Sequence, residues 1–150
     1  MLAGALALAD EPTLPPHFAD GAALFQASCA VCHRASGVGQ PGLAPPLTGY
    51  PALYVQYPEG RRQLVLTVLY GMFGDVVVDD RHYNFKMPEF ARFDDAALAA
   101  VLNFIVFDLG RASETARPIA AAEVAAERSL AFGGDGVRRH RAEVLEAVRP

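Results

Sequence analysis

The sequence predicts a mostly α-helical domain that carries one small β-hairpin and a helical C-terminal extension. Three observations lead there. Apolar residues recur at helical spacing in several stretches, the clearest being Glu59–Tyr70 and Asp94–Leu109. β-branched residues cluster in one short run, Val76–Val78, followed by the turn-forming pair Asp79-Asp80. The 150 residues, 52% of them hydrophobic, are enough for one domain with one core.

The elements follow in order. The opening MLAGALALAD resembles the end of an export signal: apolar residues lead to Ala7-Leu8-Ala9, a small-x-small cleavage pattern, before Asp10. A basic leader is missing from it, and a frayed Ala-rich terminus is the competing reading. A helix is expected over about 20–31, introduced by Asp20, and a Gly/Pro-rich loop from Gly37 to Pro51. The next helix spans Glu59–Tyr70 and stops at Gly71. After the hairpin, Asp94 or Asp95 caps a helix that runs to Leu109 and ends at Gly110. A helix from Ile119 to Phe132, a flexible break over Gly133–Gly136 and a short helix from Arg138 to Val148 complete the chain. The implied division is an N-terminal segment 1–19, a core domain 20–110 and a C-terminal arm 111–150. The arm either folds over its own domain or docks a partner.

Charge excludes some functions. Thirteen basic and seventeen acidic residues give a net charge of −4, so there is no basic footprint for nucleic acid. The negative balance lies within residues 1–110, which favours partners with a positive docking patch. No stretch reaches the roughly 18 apolar residues of a transmembrane helix.

The two cysteines decide the chemistry. They stand in Cys29-Ala30-Val31-Cys32-His33. A C-x-x-C pair serves as a redox dithiol, half of a zinc site or a haem-attachment motif. A structural zinc site closes with four ligands, and His17, His33, His82 and His140 form no second ligand pair with suitable spacing. A thioredoxin-like motif follows a strand, whereas the residues before Cys29 read as a helix. The histidine directly after the second cysteine is what haem attachment requires. Two thiols on one helical turn can add to the two vinyl groups of one haem c, and His33 then presents a ring nitrogen to the iron. Two cysteines supply one haem.

A sixth ligand is sought among the methionines, because a soft thioether favours ferrous iron and raises the potential. Pro88 pushes Met87 out of the helical region, so Met87 sits on an extended segment with Phe85 and Phe90 as flanking walls. Met72, in Gly71-Met72-Phe73-Gly74, reads more simply as a packing residue. Met87 is the favoured ligand, with His82 a rival that would lower the potential.

Taken together, these residues resemble the class I c-type cytochromes, monohaem and His/Met-ligated, over about Asp20–Gly110. The resemblance rests on the attachment motif, on Met87-Pro88 about fifty residues later, and on flanking helices with Gly21, Leu24 and Phe25 in the first and Leu98, Val101, Leu102, Phe104 and Ile105 in the last. It implies the cytochrome c fold, in which the two helices cross tightly at Gly21 under Phe104. It further implies that the Pro45 carbonyl accepts the Nδ1 proton of His33 and that Leu47 touches the haem. A subgroup with a β-hairpin before the ligand methionine is similar over Gly74–Met87, and there Tyr83 and Asn84 would bond near the methionine or a propionate; read from the residues alone, each is more simply a turn residue.

The resulting expectation is outer-sphere transfer of single electrons between redox partners in a periplasmic compartment, with no catalytic acid, base or nucleophile. Three rival readings have different signatures. A haem subunit of a dehydrogenase or reductase would dock through its arm. A haem sensor or peroxidase-like enzyme would have an open sixth position. A non-haem thiol oxidoreductase would lack a Soret band.

Overall fold

The computed structural model describes residues 17–148; the small-x-small pattern at Ala7–Ala9 lies outside them. Helix α1 (Ala19–Ser28) is followed at Cys29 by a single further turn, α2 (Ala30–His33). The expected helix is therefore one path with a break at the first cysteine, where the Cys29 amide still donates to the Phe25 carbonyl at 2.8 Å. A short helix, α3 (Tyr50–Tyr54), stands where the Gly/Pro-rich loop was expected to end. Pro51 is its signal, because a proline in the first turn of a helix sacrifices no hydrogen bond. Helix α4 (Pro58–Tyr70) starts on a proline for the same reason and stops at Gly71.

Strands β1 (Val76–Val78) and β2 (Arg81–Tyr83) pair antiparallel, with Val76 opposite Tyr83 and Val78 opposite Arg81. Asp79 and Asp80 both take positive φ, 49° and 58°, as a two-residue primed turn demands. Asp, like Asn, tolerates this conformation better than most non-glycine residues. Side chains alternate across the ribbon, so Val78 and Tyr83 are buried and Val77 is exposed.

Helix α5 (Asp95–Asn103) is capped by Asp94, whose Oδ1 accepts from the Ala97 amide at 2.8 Å. It continues as a π-helical turn, Phe104–Leu109, before Gly110. Helices α1 and α5 cross at Gly21, where a Cβ would lie 2.1 Å from the Ala100 carbonyl oxygen and 2.9 Å from Phe104 Cβ. Glycine is needed there for close approach, and Phe104 then packs its ring 5.3 Å from that of Phe25, which is wholly buried.

The arm folds back over its own domain. Helix α6 (Ala121–Arg128) is shorter than the expected Ile119–Phe132, and α7 (Gly134–Ala147) starts inside the glycine run expected to be a flexible break. Gly134 is close-packed: a Cβ there would meet the Phe73 ring at 2.5 Å. Val124, Val137, Val144 and Val148 are buried. The polar side of the contact is also specific. Buried Arg61 of α4 forks onto Glu123 of α6, with Nε to Oε1 2.8 Å and Nη2 to Oε2 2.9 Å, and donates to the carbonyls of Val55, Arg117 and Pro118. Glu123 also accepts from the Ala120 amide at the start of α6. Asn103 holds both the amide and the carbonyl of Ile119.

These contacts set the expected response to substitution. Gly21→Ala places a methyl group against the α5 backbone and destabilises the protein by about 3 kcal/mol, the upper end of overpacking, read as a lowered denaturation midpoint by circular dichroism. The Arg61 guanidinium holds the Glu123 carboxyl at about 2, below its ordinary 4.5. That stabilisation is complete above pH 4.5 and fades as pH falls towards 2. Glu123→Gln should therefore cost about 3 kcal/mol at neutral pH, because it strands a buried charge, and the gap from the unaltered protein should narrow in acid.

Candidate cofactor site

The elements surround an apolar cavity of about 220 Å³ whose wall includes Cys29, Cys32, His33, Pro45, Leu47, Tyr83 and Met87. Helix α1 delivers the cysteine segment, the 42–51 loop faces it, α4 and α5 supply Leu64, Val68, Leu98 and Leu102, and the hairpin contributes Val76 and Val78. Most of these side chains are apolar.

His33 is 8% exposed, and its Nδ1 lies 2.9 Å from the Pro45 carbonyl oxygen. A carbonyl can only accept, so Nδ1 carries the proton and Nε2 keeps its lone pair. Burial lowers the pKa of His33, outweighing the opposing effect of the Pro45 bond, and the ring is neutral at physiological pH. A neutral imidazole with one nitrogen anchored and the other unprotonated is prepared to bind a metal. Gly39 helps to hold this loop: a Cβ on it would strike the Ala44 carbonyl at 2.5 Å and the Pro46 nitrogen at 2.7 Å.

Cys29 and Cys32 are not joined to each other. Burial pushes the Cys29 thiol up to about 11, against the lowering influence of Arg92. A reactive redox cysteine has the opposite property, a depressed pKa. The donor set fits a covalently held haem: two free thiols, an imidazole with a free lone pair and an apolar enclosure.

Met72 and Met87 lie opposite each other in an isolated antiparallel bridge, with Met87 N to Met72 O 2.8 Å and Met72 N to Met87 O 3.2 Å. Directly opposed residues in such a bridge project to the same side. Both consequently line the cavity, including the Met72 expected only to fill a gap. Gly71 (φ 68°) makes the bridge possible, since a Cβ there would lie 2.4 Å from the Met87 carbonyl. Met87, unlike Met72, also packs against the main core cluster.

The structure separates the other candidates. Tyr83 is buried in the cavity wall, whereas Asn84, next along the extended chain, is exposed and outside it, a correction to the expected pair. Alternation along a strand places the two on opposite sides. His82 also lies outside the cavity, exposed and 2.8 Å from Asp75. Three residues that the sequence did not single out, Tyr50, Tyr54 and Arg141, are in the wall. Tyr50 and Tyr54 carry no motif, and Arg141 belongs to the arm.

A fold of crossing helices around an apolar cavity, with the C-x-x-C-H segment in its wall, defines a class I monohaem c-type cytochrome. A family model for cytochrome c matches residues 18–106, and the chain belongs to that family. Two relatives, both from Thermus thermophilus, are each named cytochrome c-552. One, from the strain ATCC 27634, is 40% identical over 126 residues, covering 83% of this chain and 79% of the relative. The other is 42% identical over 108 residues, covering 71% of this chain and 82% of the relative. The protein is an electron carrier with one haem c attached covalently through Cys29 and Cys32. Among the described residues no helix is long and apolar enough to cross a membrane.

The attachment is checked by the mass of the chain purified from a host able to ligate haem. The unaltered protein should carry the haem increment under denaturing conditions, and the Cys29→Ala, Cys32→Ala double variant should lack it.

Proposed function

We propose that this cytochrome carries single electrons between redox protein partners in a periplasmic compartment, with His33 and Met87 as the axial ligands. When bound, the haem supplies a one-electron Fe(III)/Fe(II) couple. The observation that carries the reading is the His33–Pro45 bond inside the same cavity wall as Met87. It orients the imidazole and fixes its tautomer before any ligand arrives, which keeps the rearrangement on electron transfer small. The Met87 thioether favours the reduced state, and the apolar residues around it disfavour the extra charge of the oxidised one.

Entry and exit of the electron are served by the cavity rim. Val31, between the two cysteines, and Phe85, near Met87, line the cavity and are 78% and 62% exposed. An exposed apolar rim with few charges suits a small, short-lived interface with a partner. The arm is occupied elsewhere, since Arg61–Glu123, Arg128–Asp95 and the buried valines of α6 and α7 tie it to its own domain. That supports a free carrier over a subunit docked through the arm.

Methionine ligation is read from the Met–iron charge-transfer band at the red end of the ferric spectrum. Met87→Ala should abolish the band and lower the midpoint potential, and Met72→Ala should leave the band in place. The reverse pattern would assign the ligand to Met72. Co-elution of the whole purified protein with a native dehydrogenase or reductase on gel filtration would overturn the free-carrier reading.

A further inference from the structure

The arm reaches the cofactor cavity through one side chain. Arg141 of α7 is half-buried in the cavity wall, beside Tyr50 and Tyr54 of α3. Its Nη2 lies 3.3 Å from the Tyr50 hydroxyl and 3.2 Å from the Val77 carbonyl of the hairpin, and its guanidinium carbon sits 5.6 Å from the centre of the Tyr50 ring. All of these partners are neutral, and none of the ion pairs among the described residues includes Arg141. The ring of Tyr54 stands 5.7 Å from that of Tyr50. Tyr54 is only 5% exposed, yet its hydroxyl has no hydrogen-bond partner among the described residues.

Burial of a cation without a counter-charge and of a hydroxyl without a partner is costly, and both costs vanish if an anion occupies the space between them. The rest of the wall agrees. In a chain of net charge −4, the cavity-lining residues include the cations Lys86 and Arg141 and not one Asp or Glu. The cavity thus accepts negative charge at a particular corner. A haem brings that charge as two propionates, on the edge opposite the vinyl groups that thioethers consume.

We propose that Arg141, with the hydroxyls of Tyr50 and Tyr54, binds a haem propionate, so that the C-terminal arm is a working part of the cofactor site. Arg141 pairs with the carboxylate through a charge-assisted hydrogen bond, and the Tyr54 hydroxyl donates to the same group. Through Val77 the guanidinium also holds the hairpin that leads to Met87. Arg141 is a positioning residue: it keeps the propionate ionised and its own charge raises the potential by favouring the reduced state. This assignment rests on the reading of the cavity as a haem site, and the two fail separately, as the readouts below show.

The test is the midpoint potential of the haem-loaded protein as a function of pH, with the ferrous spectrum recorded alongside. Arg141→Gln should lower the potential and make it vary with pH in the acid-to-neutral range, because the propionate is no longer held ionised. Arg141→Lys should recover most of both properties. Tyr54→Phe should shift the potential in the same direction and lower the denaturation midpoint of the loaded protein. A hydroxyl with no haem partner would instead give no shift and an unchanged or higher midpoint. Arg139→Gln, altering an exposed arginine on the same helix, is the control and should move nothing. Normal spectra with unaltered potentials in both Arg141→Gln and Tyr54→Phe would overturn the assignment while leaving the haem in place. A wild-type protein without covalent haem would overturn the haem reading itself. If Arg141→Gln fails to fold, Arg141→Lys and Tyr54→Phe decide the matter, since both leave the packing nearly intact.

Discussion

The crossing of α1 over α5 at Gly21 is the contact from which the rest of the structure takes its position. Only a residue without Cβ lets the two backbones come so near, with the α5 carbonyl of Ala100 within 2.1 Å of where that atom would be. The crossing locks the chain just ahead of Cys29 against the helix that closes the domain. Phe25 and Phe104 then seal the contact, and α2 emerges with the Cys29–His33 segment already aimed at the cavity. A cofactor attached through two thioethers tolerates no drift of its anchor, so this crossing is as much a part of the redox site as the ligands are.

The His33 and Met87 sides of the cavity are built by opposite means. His33 is fixed by a loop stiffened with Pro45 and Pro46 and tightened at Gly39, and a single backbone carbonyl sets the tautomer of its ring. Met87 is fixed by pairing: its backbone exchanges hydrogen bonds with that of Met72, and Gly71 permits the approach. Each wall has one rigid backbone contact and an otherwise apolar lining. Such a site changes little in geometry when its charge changes, which is what rapid electron transfer needs. The arm adds an outer layer. The ion pair that joins it to α4, Arg61–Glu123, is largely shielded from water, and Arg61 makes five hydrogen bonds there.

Much of the core domain was legible because its signals are local. Gly71 and Gly110 end helices, Asp94 caps one, and the turn at Asp79-Asp80 follows from the tolerance of Asp for positive φ. Local signals misled where a residue serves a distant partner. The glycines before Arg138 read as a break, yet Gly134 is small because Phe73 packs against it. Asn84 read with Tyr83 as a group near the methionine or a propionate, whereas Tyr83 lines the cavity and Asn84 lies outside it. The short helix at Tyr50 was hidden inside a run that looked like pure loop, with Pro51 its one sign.

The presence of a covalent haem was written into five consecutive residues, because thioether attachment and proximal ligation depend on spacing along a single turn and need no distant partner. Folding alone decided which side chains share the cavity with it. Met72 meets Met87 across a bridge, Arg61 meets Glu123 across 62 positions, and Arg141 meets Tyr50 across 91. Each of those encounters depends on how whole helices pack, and helix packing is set by the summed fit of many side chains, so no short stretch of chain announces it.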